Sequence, residues 1–127
     1  MRHDVKLLLV GAVATLSACA FAAPSRVNES FYREIGSATY SPSKTADMEK
    51  CVYFAFFDNR FGELQARREE TRTGKRVNMQ AGTYDLVSAD INNDGTFKIF
   101  KYYSTLSAPW VKRVVAGSLE CASRNGS

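Results

Sequence analysis

Histidine is almost missing from this 127-residue chain, and the single one, His3, stands among the first residues. If the segment carrying it is removed, the remaining protein cannot run a Ser-His-Asp or Cys-His mechanism. Nor can it build a His-ligated zinc site. Cysteine is scarce as well, confined to Cys19, Cys51 and Cys121. The longest apolar run, Leu7 to Ala23, is about 17 residues and is broken by Thr15, Ser17 and Cys19, short of the about 20 that a spanning helix needs. Neither sign of charge dominates: 17 basic and 13 acidic side chains leave a net charge of +4. That balance permits attraction to anionic lipid or lipopolysaccharide without requiring nucleic acid.

What the N-terminus does have is an export pattern. Arg2 and Lys6 precede the apolar stretch Leu7–Ala14, and small residues follow at once, as in a secretory signal. Ala20-Phe21-Ala22 fits ordinary signal-peptidase cleavage after residue 22. Just upstream, Leu16-Ser17-Ala18-Cys19 matches all four positions of a lipobox, so in its export segment the chain resembles bacterial lipoproteins. The resemblance covers residues 1–18 and the anchor, and implies nothing about the downstream fold. It implies cleavage before Cys19, acylation of that cysteine with fatty acids such as palmitate, and stable attachment through several acyl chains. In that class an Asp after the Cys marks inner-membrane retention, so Ala20 implies the outer membrane. A signal over 1–18, or alternatively 1–22, also removes His3 and takes the net charge to +3, because Arg2, Asp4 and Lys6 leave with it.

Once Cys19 is lipidated or cut away, an even pair of cysteines remains in an oxidising compartment. A Cys51–Cys121 bridge would then preclude thiolate catalysis. The chain is therefore expected not to be an enzyme and to need no cofactor. Carboxylate-pair chemistry is the surviving catalytic class, but Glu69-Glu70 stands in a run of arginines and reads as a solvated charge cluster.

Residues 19–30 read as a tether, 31–122 as a single β-rich domain and 123–127 as a flexible tail. Within the domain, Cys51–Phe57 is apolar on both faces and predicts a central strand. Phe61 to Arg76 has no apolar face; it is either a helix held by ion pairs or a hairpin turning at Thr73-Gly74. Gly82–Ala89 and Thr96–Tyr103 alternate around Asn92-Asn93-Asp94-Gly95, where the Asp-Gly step favours a tight turn. Val111–Cys121 reads as a last strand after Pro109-Trp110. The expected fold is mainly β (a β-rich α+β fold is the variant): a small antiparallel sandwich or open barrel of five to six strands, with at most one or two short helices and one disulfide.

Two motifs suggest binding. Arg67, Arg68, Arg72, Lys75 and Arg76 could meet a phosphate-rich or acidic partner, with Trp110 as a further candidate, but Glu69 and Glu70 sit inside the run and a solubilising arm is the favoured reading. Asp90, Asn92, Asp94 and Gly95 match the first half of an EF-hand loop, but Lys98 and Lys101 occupy positions where ligands belong, so a hairpin turn is the favoured reading and no metal is expected. Tyr40, Tyr102, Tyr103 and Trp110 would mark an interface if several stood together on the surface. The leading expectation is a non-enzymatic, lipid-anchored bacterial envelope protein, at the outer membrane or else periplasmic or secreted, whose β domain binds another macromolecule, either a protein or an envelope polymer. A secreted or periplasmic inhibitor or immunity-type protein and a subunit of an envelope assembly are the alternatives.

Overall fold

The computed structural model describes Arg26 and residues 29–127. The signal segment, the lipobox with Cys19 and most of the tether lie outside the described residues. Five strands, β1 (Tyr32–Thr39), β2 (Gln65–Glu70), β3 (Gly74–Ala81), β4 (Tyr84–Asn92) and β5 (Thr96–Tyr102), form one antiparallel sheet in the order β1-β5-β4-β3-β2. Two helices, α1 (Thr45–Phe57) and α2 (Pro109–Arg124), cover one face of it. The mainly β class and the single disulfide agree with the sequence reading. The layer opposing the sheet is made of helices.

Two segments differ from expectation. Cys51–Phe57 is the second half of α1, and Val111–Cys121 belongs to α2. Strand propensity in the first is overridden by packing: Met48, Val52 and Phe56 recur every four residues and are fully buried against the sheet. The segment is apolar all round because Cys51 faces α2 while Tyr53, Phe54 and Phe57 form an outer stripe. In α2, Val111, Val114, Ser118 and Cys121 follow a helical period, and Pro109 occupies the first turn, where its missing N–H costs nothing.

The charged stretch forms the hairpin β2–β3, with Thr71 N donating to the Gly74 carbonyl at 2.9 Å. Its β2 arm is one of the sheet's two edges, where charge discourages pairing with other chains. Inward-pointing Val77, Met79, Val87, Ala89, Ile91, Phe97 and Ile99 make the core with the buried faces of the helices. Cys51 and Cys121 are bonded and tie α1 to α2.

The register gives the molecule two distinct ends. At one, Tyr32 pairs with Tyr102 and Ala81 with Tyr84; at the other, Thr39 pairs with Thr96 and Gly74 with Asn92. α1 starts at the second end, where Tyr40 N donates to the Gly95 carbonyl, and runs to the first. α2 makes the return journey, and Ser41 N donates to the Asn125 carbonyl where it finishes. The segment expected to fray at 123–127 is thus partly helical and hydrogen-bonded, with Lys44 Nζ donating to the Ser127 carbonyl. The last residues of the expected tether are docked as well, Arg26 being buried and Glu29–Phe31 forming a 3-10 turn.

Candidate functional site

The hairpin divides the basic cluster between two faces. Arg67 and Arg76 lie on the face of the sheet away from the helices, where Arg67 donates to Gln80 Oε1 at 2.9 Å and Arg76 to Asp90 Oδ1 at 2.7 Å. Arg68 points the other way and lies over the Tyr53 ring, 4.0 Å from its centre. Lys75 is paired with Glu70, whose hydrogen bond raises its pKa. Arg72 is exposed at the turn. Trp110 is at the other end of the molecule, buried at the start of α2 and edge-on to Phe61. These six candidates are not brought together into one site.

The helix-free face instead carries a dense polar network. Arg26 lies across its middle: Nη2 is 2.7 Å from Asp90 Oδ2, Nη1 donates to Ser88 Oγ at 3.3 Å, and the guanidinium stacks 4.3 Å from the Phe100 ring centre. Asn78 Nδ2 donates to Glu69 Oε2, leaving its own carbonyl oxygen buried without a partner. Asp85 is 1% exposed. Burial pushes its pKa up to about 6; the Gln80 side chain and the guanidiniums of Arg67 and Arg76 offset part of the rise, and Glu69 adds to it.

Asp90, Asn92 and Asp94, the half EF-hand, do not converge. Both oxygens of Asp90 are held by arginines on the polar face. Asn92 bonds Thr73 and Thr96. Asp94 accepts from the hydroxyl and the backbone N–H of Thr96, which together hold its pKa below the ordinary carboxylate value. The arrangement is that of a hairpin turn capped by its own side chains.

The aromatic candidates separate sharply. Tyr40 is buried, its hydroxyl near Thr45 Oγ1 and donating to the Asn92 carbonyl. Tyr102 and Tyr103 sit on the surface with ring centres 4.9 Å apart. Sequence reasoning missed three rings that join them: Phe31 lies 5.7 Å from Tyr103, Tyr32 5.6 Å from Tyr102, and Tyr84 5.8 Å from Tyr102. These residues come from the start of β1, the end of β5 and the β3–β4 turn, so only strand register unites them. The Tyr32 hydroxyl donates to the Asp85 carbonyl at 2.8 Å, and burial, with Asp85 next, pushes its pKa up to about 12.

Phe57 and Phe61 follow α1 to the same end, and Leu106 lies in the loop before α2. Among the described residues seven large apolar side chains are exposed, and all but Phe54 belong to this end. Two of them, Tyr84 at 59% and Tyr103 at 65%, stand well clear of the surface. Large apolar groups concentrated this way mark binding surfaces on soluble domains. No helix of the described residues is long and apolar enough to cross a membrane. Known protein families, characterised proteins and solved structures offer no match to this chain.

Proposed function

We propose that the chain is a non-enzymatic bacterial envelope protein, lipid-anchored at Cys19 at the outer membrane, whose small domain binds another macromolecule through its aromatic end. The observation that carries the reading is the gathering of Phe31, Tyr84, Tyr103 and their neighbours at one end of the sheet, while the opposite end has polar turns at 71–73 and 92–95. Tyr and Phe rings supply large contact area with little conformational entropy to lose, which suits them to recognition. The non-catalytic reading rests on a chain without histidine after residue 3 and on two cysteines committed to a bridge.

The same aromatic end favours an assembly subunit over a plug-type inhibitor, since a plug would present a protruding polar loop. Immobilised domain and a Tyr84→Ser/Tyr103→Ser variant, both starting at Ala23, should be compared for capture of material from solubilised envelope. Loss of the captured species in the variant, with an unchanged melting temperature, supports the reading; equal capture removes the aromatic end from it. The anchor is tested separately by Cys19→Ala, which should release the protein from the membrane fraction. A variant that remains membrane-bound and is processed as before returns cleavage to Ala22.

A further inference from the structure

Beside the tyrosines lies a groove of about 300 Å³ lined by Ala81, Tyr84, Leu86, Tyr102, Ser104 and Thr105. We propose that this groove is a subsite for a neutral saccharide of the cell envelope, an inference that rests on the aromatic end being the binding surface. Three features point to that ligand class.

First, the lining contains no charged residue. The buried Lys101 beside it is already engaged, its Nζ donating to the Thr105 carbonyl at 2.6 Å. A phosphate or carboxylate would find no countercharge here, and an ammonium would find aromatic faces but no carboxylate in the lining.

Second, the groove pairs aromatic faces with hydroxyls. The rings of Tyr84 and Tyr102, with centres 5.8 Å apart and tilted 38°, pack against each other and together form an aromatic wall of the groove. The Ser104 and Tyr84 hydroxyls can donate and accept, and the Thr105 oxygen, whose proton goes to the Leu86 carbonyl, can accept. A pyranose has the matching character, with C–H groups on its faces and hydroxyls around its rim. Purely apolar side chains of a protein partner would leave those hydroxyls without use.

Third, the walls are fixed in advance. Thr105 N donates to the Tyr102 carbonyl at 2.9 Å, Thr105 Oγ1 to the Leu86 carbonyl at 3.3 Å, and Lys101 pins the loop from beneath. A preformed site loses less entropy on binding, which matters for ligands with few strong contacts. The volume lies at the small end of ligand pockets, about one or two sugar rings, with Tyr103 and Phe31 extending the platform for a longer chain.

The test is an amide NMR titration of the domain starting at Ala23 with two probes, the β-1,4-linked tetrasaccharides of N-acetylglucosamine and of glucose. The site predicts saturable shifts at Tyr84, Tyr102, Ser104 and Thr105 with at least one probe, and an affinity at least tenfold weaker in Tyr84→Ala. Absence of saturable shifts at these residues with both probes, or shifts unaffected by Tyr84→Ala, overturns it. Envelope capture separates this failure from that of the broader reading. If neither sugar binds but Tyr84→Ser/Tyr103→Ser still abolishes capture, the end recognises a protein and the saccharide subsite falls alone. If capture is also unchanged, both fall.

Discussion

Arg26 and Asp90, 64 residues apart in sequence, form a 2.7 Å ion pair on the helix-free face of the sheet. The pair fastens the N-terminal lead to the domain it precedes, and Phe100 beneath the guanidinium adds a stacking contact that an ammonium fills less well. Removing one partner of a buried pair is costly because the other charge stays behind. Here Arg76 still holds the second Asp90 oxygen, which limits the damage. Arg26→Ala is expected to destabilise by about 1–3 kcal/mol, and Arg26→Lys by less, read from the urea midpoint. Equal midpoints for all three proteins would mean that the lead is not held by this pair.

The disulfide closes a sequence separation of 70 residues, and the chain-entropy relation gives about 4 kcal/mol for a loop that long. Reduction, or the Cys51→Ala/Cys121→Ala double variant, should lower the denaturation midpoint accordingly. Because the bond joins only α1 and α2, their amides should lose exchange protection before those of β3–β5. Uniform loss across helices and sheet would contradict that order.

Gly95 and Gly82 offer a controlled comparison. Both have positive φ, +91° and +62°, but a Cβ on Gly95 would lie 2.6 Å from the Tyr40 carbonyl oxygen while one on Gly82 meets nothing within 4 Å. Gly82→Ala is expected to cost about 1 kcal/mol from backbone strain alone, and Gly95→Ala about 2–4 kcal/mol. Thermal melts decide it; similar losses at the two sites would show that the close approach at Gly95 is relieved.

Asp85 makes stability depend on pH. Its folded-state pKa of about 6 lies above the ordinary 3.8, so the folded state binds the proton more tightly than the unfolded state. That contribution is fully present below about pH 4 and is lost as pH rises through 6. Asp85→Asn should therefore be the more stable protein at pH 7.5, by on the order of 1–3 kcal/mol, with the advantage shrinking toward pH 4. Parallel urea titrations at several pH values measure it. A constant difference would place the titrating group elsewhere.

Much of the sheet was legible because its signals are local. The Asp94-Gly95 turn and the alternation of Phe97, Ile99 and Lys101 against Phe100 and Tyr102 each depend on a few adjacent residues. The cysteine pair came from counting. The helices were harder: Cys51–Phe57 taken alone is apolar on both faces, and only Met48, three residues upstream, completes the Met48-Val52-Phe56 period that reveals a helix. Val111 to Cys121 hid its period behind Arg113 and Gly117.

The candidate site was least legible, since Phe31, Tyr84 and Tyr102 become neighbours through strand pairing that no local pattern encodes. The basic run misled for the same reason. Its charges alternate across a strand, so neighbours in sequence such as Arg67 and Arg68 face opposite sides of the sheet.

The claim that the aromatic end is the docking surface is tested most directly by hydroxyl-radical footprinting of the protein in intact host cells against the purified domain. Phe31, Phe61, Tyr84 and Tyr103 should be protected in the cells by at least severalfold, while Lys44 at the opposite end keeps its solution reactivity. Protection centred on that opposite end, or none at the four aromatic residues, would contradict the account.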